Sequence, residues 1–307
     1  MSLFLRLGTR GSPLALAQAR ETQALLAKAH GIAPDRIEIR VIKTSGDMIQ
    51  DRPLSDAGGK GLFTKEIERA LADGEIDLAV HSAKDMPTVL PDGLVLSAFL
   101  EREDVRDALI SPKAASLEGL PHGAVVGTAA LRRQAMVKRL RPDLRTILFR
   151  GNVETRLRKI DQGHADATLL AVAGLKRLGL LAHASAILSE ECFLPAIGQG
   201  AICIETRAAD PKVNQLVEAI DHRDTHLALR LERAFLAVLD GSCRTPIAGH
   251  AKVDGSTIAF RGLILKPDGS EAYEAVRHGA LDDPEAIGRS AGEELRLLGG
   301  PDFFAGP

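Results

Sequence analysis

The sequence predicts two α/β units followed by a smaller α+β unit, and three observations carry that prediction. Short apolar strands alternate with helical segments from the N-terminus to about residue 194, the rhythm of a parallel or mixed sheet covered on both faces. The rhythm runs twice, once before about Leu100 and again from about Val105, without a convincing sequence repeat. Beyond about Asp221 the order changes to one helix, three strands separated by turns, and a closing helix. The 307 residues suit two or three domains, at roughly 150 residues each.

In the first unit, Leu3 to Leu7 reads as a strand. Ser12-Pro13 then offers an N-cap and an N1 proline to a helix over Leu14 to Ala29. Ile37, Ile39 and Val41 alternate with charged residues, a strand pattern. Phe63 to Ala72 reads as a helix closed by Gly74, and Ile76 to Val80 as a short buried strand. In the second unit the strands are Ala124–Val126, Thr146–Phe149 and Ala167–Ala171. Its helices are Leu131–Leu140, stopped before Pro142, and Val153–Gln162, ending at Gly163. The third unit has a helix from about Thr225 to Leu239, strands at 248–253, 257–265 and 272–278, and a helix at 284–298. Gly255 and Pro267-Asp268-Gly269 mark its turns. Two similar α/β units facing each other would make a cleft, with ligands at the carboxyl ends of strands.

Composition narrows the function. Hydrophobic residues are 45% and charged residues 26%, ordinary for a globular protein. The net charge of -2 and the 3% aromatic content, with no Trp and only Tyr273, argue against a nucleic-acid partner. The first residues lack the basic and long apolar regions of a signal peptide, and no window is apolar enough to span a membrane. Cys192, Cys203 and Cys243 form neither a disulfide framework nor zinc spacing, so free thiols in a reducing cytoplasm are expected. Cys192 and Cys203 have apolar neighbours and read as packing residues. Cys243 lies in a loop from Leu239 to Pro246, beside Gly241 and Arg244, where a cation favours the thiolate.

The charge is unevenly placed. Gly127 to Leu180 holds nine arginines and three lysines against four acids, an excess of eight. Solvated helix faces account for some of these, including Arg139, Arg141 and Arg158. Arg132 and Arg133 fit that explanation poorly, because they follow a strand and sit at a helix start, where cations oppose the helix dipole. With free backbone N–H groups they would suit a carboxylate or phosphate. Arg150-Gly151-Asn152 repeats the arrangement, with Arg156 a turn later, and Thr9-Arg10-Gly11-Ser12 adds an arginine and a hydroxyl in the first unit. The predicted ligand is a long or polyanionic one. No phosphate-loop pattern is present, and Gly58-Gly59-Lys60-Gly61 suggests a mobile loop carrying a cation. After the strand ending at Val80 comes His81-Ser82-Ala83-Lys84-Asp85. A Ser/His/Asp relay is rejected, since no GxSxG elbow exists. Asp85 among many arginines is the better catalytic candidate, able to protonate a leaving amine or stabilise a developing cation.

Taken together, the chain resembles the porphobilinogen deaminases, or hydroxymethylbilane synthases, over nearly its whole length. The motifs are Thr9-Arg10-Gly11-Ser12-Pro13-Leu14-Ala15, Gly58-Gly59-Lys60-Gly61-Leu62-Phe63 and Ala79-Val80-His81-Ser82-Ala83-Lys84-Asp85. They continue through Arg102-Glu103-Asp104-Val105-Arg106-Asp107, Leu131-Arg132-Arg133-Gln134, Arg150-Gly151-Asn152 and 171–179. Leu194-Pro195-Ala196-Ile197-Gly198-Gln199-Gly200-Ala201 and the Gly241-Ser242-Cys243 loop complete the series.

The resemblance implies a transferase that adds four porphobilinogen units head to tail on a dipyrromethane cofactor, held through a thioether to Cys243. Each addition would lose ammonia through a cationic azafulvene, and water would release hydroxymethylbilane. Asp85 matches the catalytic acid. Arg10, Ser12, Lys84, Thr128, Arg132, Arg133, Arg150, Gly151, Arg156, Arg177 and Gln199 match positions that bind cofactor and substrate, and Lys60 and Phe63 match a mobile loop. The carboxylates of the growing chain would account for the arginine excess. The implied fold is two periplasmic-binding-protein-like α/β domains, 1–101 with 200–219 and 105–194, and an α+β domain, 220–307, with a three-stranded antiparallel sheet. A cytoplasmic monomer without metal, nucleic-acid or membrane partners is expected. A two-lobed binding protein for an anionic small molecule is the alternative. The chain departs from many members in having Ala129 and Ala130 where serines precede the Leu-Arg-Arg motif, and in having Gly11 where some have Gln.

Overall fold

The computed structural model describes residues 4–48, 63–239 and 245–304. In chain order its elements begin with β1 (Leu5–Thr9), α1 (Pro13–Ala29), β2 (Ile37–Val41), α2 (Ser45–Met48), α3 (Lys65–Ala72), β3 (Leu78–Ser82) and β4 (Leu94–Phe99). Next come β5 (Asp107–Ile110), β6 (Val125–Gly127), α4 (Leu131–Leu140), β7 (Arg145–Ile147), α5 (Val153–Asp161), β8 (Ala167–Ala171), α6 (Val172–Arg177) and β9 (Ala186–Ile187). The chain ends with β10 (Ile202–Arg207), α7 (Pro211–Glu218), α8 (Arg223–Val238), β11 (Ile247–Asp254), β12 (Thr257–Leu265), β13 (Ala272–Ala280) and α9 (Pro284–Gly299). Two compact units result, Met1–Glu103 with Ala201–His226, and Asp104–Gly200 with Leu227–Pro307.

The first unit is built on a five-stranded sheet in the order β2-β1-β3-β10-β4. β1 runs parallel to β2 and β3, whereas β10 is antiparallel to both β3 and β4. Alternation along β3 sends Val80 into one core and Ala79 into another. Val80 joins Leu5, Leu7, Leu26, Ile202 and Ile204 beneath α1. Ala79 packs with Ile67 and Leu71 of α3. Helices therefore cover both faces, as buried parallel strands require. Ser12 caps α1, its Oγ accepting from Ala15 N at 3.3 Å, and Pro13 opens the helix.

The second unit repeats this plan in the order β7-β6-β8-β5-β9. β6 is parallel to β7 and β8, and β5 is antiparallel to β8 and β9. The same unit holds the antiparallel meander β11-β12-β13. Ala248 and Leu265 of the meander share a core with Val126, Met136 and Leu169. The turn at Gly269 touches α4: φ is +77°, and a Cβ there would lie 2.6 Å from the Ala135 carbonyl oxygen.

All three expected sheets are present, with strand ends shifted by up to two residues. The sequence pattern did not reveal α2, β4, β5, β9, β10, α6 or α7. Two side chains need correction. Cys192 is exposed and is not a packing residue, whereas Cys203 is buried. Arg141 is no solvated face residue: it pairs with Asp143 and donates to the carbonyls of Leu117, Glu118 and Leu120.

Candidate active site

Parallel strands bring their carboxyl ends to one edge of each sheet, and the chemistry-bearing residues follow those ends. In the first unit Arg10 and Ser12 follow β1, while Lys84 and Asp85 occupy a single 3₁₀ turn directly after β3. That turn is anchored by Ala83 N donating to the Ala201 carbonyl at 3.0 Å. A cavity at this edge is lined by Arg10, Ser12, Phe63, His81, Ser82 and Asp85. The Arg10 guanidinium carbon lies 4.1 Å from the Phe63 ring centroid, a cation–π contact that holds the guanidinium flat. Gln18 donates to Ser82 Oγ at 2.9 Å on the cavity wall. Asp85 is exposed and Lys84 half-buried. Lys60 lies outside the described residues.

In the second unit Thr128 follows β6, Arg150 and Gly151 follow β7, and Arg177 ends the helix after β8. Antiparallel pairing of Asp107 with Ala171 sets the first residue of β5 at this same edge. Its carboxylate is fully buried and takes both arginines of α4. Arg132 Nη2 is 2.7 Å from Oδ2, and Arg133 Nη2 is 2.6 Å from Oδ1. Arg132 also donates to the Leu194 carbonyl at 2.8 Å and Arg133 to that of Leu169 at 2.9 Å. Gln199 Nε2 reaches the Val105 carbonyl at 2.7 Å and Asp107 Oδ1 at 3.1 Å. Burial alone would raise the Asp107 carboxyl, but the charges and hydrogen bonds of Arg132 and Arg133 outweigh it and hold the group well below the usual carboxylate range. The structure thus gives the paired arginines a protein partner that the sequence pattern did not single out. Two guanidiniums share one carboxylate, so the trio keeps one positive charge.

The other positions have local roles as well. Thr128 is buried, and its Oγ1 accepts from Ala130 N at 3.2 Å. α4 has Ala130 at its N-cap and no side-chain cap, whereas Asn152 caps α5 by accepting from Thr155 N at 2.8 Å. Gly151 has φ +124°. Its carbonyl accepts from Arg156 Nε at 2.9 Å, and the Arg150 carbonyl accepts from Lys159 Nζ at 3.0 Å. Arg177 donates to the Gly200 carbonyl at 3.2 Å. The loop carrying Cys243 lies outside the described residues. Sequence reasoning missed Asp107 and the buried His81–Glu205 pair; the available signal was an acid within each apolar strand. Among the described residues, no group of three His, Cys, Asp or Glu side chains is arranged to hold a metal ion. No helix there is long and apolar enough to cross a membrane.

Residues 5–215 match the family described as porphobilinogen deaminase, dipyromethane cofactor binding domain, and residues 226–296 match porphobilinogen deaminase, C-terminal domain. Porphobilinogen deaminase of Nitrobacter hamburgensis is 63% identical over 302 residues, covering 98% of this chain and 96% of that protein. The protein of the same name from Nitrobacter winogradskyi is also 63% identical, with the same coverage. Among solved structures, a periplasmic substrate-binding protein of an ABC transporter from Coxiella burnetii is 16% identical, with a TM-score of 0.44 over 71% of this chain and 91% of that one. Both family matches, in chain order, and relatives alike from end to end lead to one assignment: this chain belongs to the porphobilinogen deaminase family.

Proposed function

We propose that this chain is the transferase that joins four porphobilinogen molecules head to tail, releasing hydroxymethylbilane and ammonia, on a dipyrromethane cofactor attached to Cys243. The observation that carries this is the placement of Asp85 on one cavity with Arg10 and Ser12, in a chain of this family. Each pyrrole unit bears an acetate and a propionate, so cofactor and growing chain are polyanions. The donor set suits them. The Asp107 trio retains a positive charge, and the first turn of α4, lacking a side-chain cap, has N–H groups to offer a carboxylate.

When bound, the cofactor supplies the nucleophilic pyrrole carbon to which units are added. The chain's own residues then have these tasks. Asp85, as the acid, gives its carboxyl proton to the departing amine; once ionised, it faces the positive charge left on the substrate. Arg10 and Ser12 hold a substrate carboxylate, with Phe63 fixing the plane of the guanidinium. Lys84, Thr128, Arg132, Arg133, Arg150, Gly151, Arg156, Arg177 and Gln199 bind and orient the carboxylates of the chain. Asp107 keeps the Arg132 and Arg133 forks in fixed orientation, so little side-chain entropy is lost on binding. The working domains in this reading are 1–101 with 200–219, 105–194, and 220–307, in a cytoplasmic monomer.

Intact mass of the parent and of Cys243→Ser tests the attachment. A mass excess of one dipyrromethane on the parent alone supports it. A parent that carries no excess and gains no mass from porphobilinogen refutes it. Asp85→Asn is expected to fold and lose turnover; normal turnover refutes its role.

A further inference from the structure

A second acid–base system lies against the Asp85 cavity, and none of the steps above uses it. His81 pairs with Cys203 across β3 and β10, and Ala79 with Glu205, so these four side chains share the sheet face covered by α3. His81 Nε2 is 3.1 Å from Glu205 Oε2, with the side chains 5% and 0% exposed. Glu68 of α3 is buried near the same pair. Burial raises its carboxyl above the ordinary value; the Thr64 hydroxyl works against this, and the charge of Glu205 adds to the rise. Glu205 Oε1 is buried without a hydrogen-bond partner among the described residues. Two carboxyl groups thus meet one imidazole out of water. Unpaired charge is costly there. His81 also lines the cavity that holds Asp85 and Arg10.

We propose that His81 is a second proton-handling residue of this active site, with Glu205 as its positioning residue and Glu68 behind it. The proposal rests on the reaction assigned above. Asp85 gives a proton to the amine as the carbon–nitrogen bond breaks, and is left ionised. When the new carbon–carbon bond has formed, the attacking ring carbon must lose its hydrogen. That C–H bond breaks, its electron pair returns to the ring, and the proton goes to His81. Glu205 occupies Nε2, which leaves Nδ1 to receive it, and the carboxylate balances the imidazolium. The proton then passes to Asp85, restoring both groups for the next unit with no net gain or loss. The charged groups around this system are Glu68 and Lys65 on α3, Glu205 on β10, and Arg10 and Asp85 at the cavity.

The test is 15N-histidine NMR of the holoenzyme together with pH profiles of kcat and KM for the parent and Glu205→Gln. The expected ring is the tautomer carrying its proton on Nε2. Glu205→Gln is expected to lower kcat at least tenfold and displace its pH profile, with KM changed less than twofold. A parent ring protonated on Nδ1 with Nε2 bare, or a Glu205→Gln profile that superimposes on the parent's, overturns the proposal. If Glu205→Gln does not fold, the parent's ring tautomer decides. Asp85→Asn separates the two levels: normal turnover there refutes the role assigned to Asp85, whereas the His81 tautomer is read without turnover.

Discussion

Asp107→Asn isolates the electrostatic centre of the second unit. The side chain keeps its size, so packing is preserved while the charge is lost. Asp107 is fully buried, and its two oxygens take Arg132 at 2.7 Å and Arg133 at 2.6 Å. An asparagine oxygen could still accept from one arginine, but its amide would point donors at the other. Both guanidiniums, 5% and 7% exposed, would then lack a counterion among the described residues. Removing one partner of a buried pair costs about 3–5 kcal/mol, mostly for the charge left behind. In units of about 150–250 residues each kcal/mol moves the melting midpoint by about 2–4 °C, so a fall of roughly 6–20 °C is expected. Circular dichroism melts at pH 7 measure it. The pH dependence gives a second check. The folded-state carboxyl is held below its unfolded value of about 3.9, so its contribution is full above about pH 4 and is lost as pH falls through the folded value. The gap between parent and variant should therefore stay constant from pH 5 to 8 and close only in acid. A midpoint within about 2 °C of the parent at pH 7 would refute the argument that these arginines depend on Asp107.

Three further outcomes follow from local geometry. Gly151→Ala forces φ near +124° on a residue with a Cβ, which would sit 2.6 Å from Thr155 Cγ2. A loss of about 1–3 kcal/mol is expected in denaturant melts, and adding Thr155→Ala should recover only part of it, because the backbone strain remains. Ser12→Ala removes the N-cap of α1 and should cost about 0.5–2 kcal/mol, read in the same melts. In a Cys243→Ser background, a thiol reagent should label Cys192 in the native protein and Cys203 only after unfolding, which peptide mass mapping can score.

Local signals made much of this fold legible. Ser12-Pro13 marked the start of α1, and α4 and β8 fall where periodicity put them. The strands that escaped notice most tellingly are β5 and β10. Each is the antiparallel fourth strand of its sheet, and each carries a buried acid, Asp107 or Glu205, that breaks the apolar pattern. The acid is tolerated because a partner arrives from elsewhere, from α4 in one sheet and from β3 in the other. Periodicity within one segment cannot register such a partner. For the site, the arginine excess was visible as composition. Which arginines have a protein carboxylate was not, because Asp107 lies outside the basic segment.

The borrowed fourth strand also bears on how the protein is made. β4 is joined to its sheet through β10 alone, so the first sheet stays broken while the ribosome works through the second. Phe99 and Ile202 are about 100 residues apart, and at about 5–20 residues per second that interval lasts roughly 5–20 s. During that time the edges of β3 and β4 are open to pairing with other chains. The second sheet waits less, because β5 ends at Ile110 and β8, which it joins, begins at Ala167, about 57 residues later. The order of synthesis therefore favours completion of the second sheet before the first. The nascent chain is most in need of a chaperone between the emergence of β4 and that of β10.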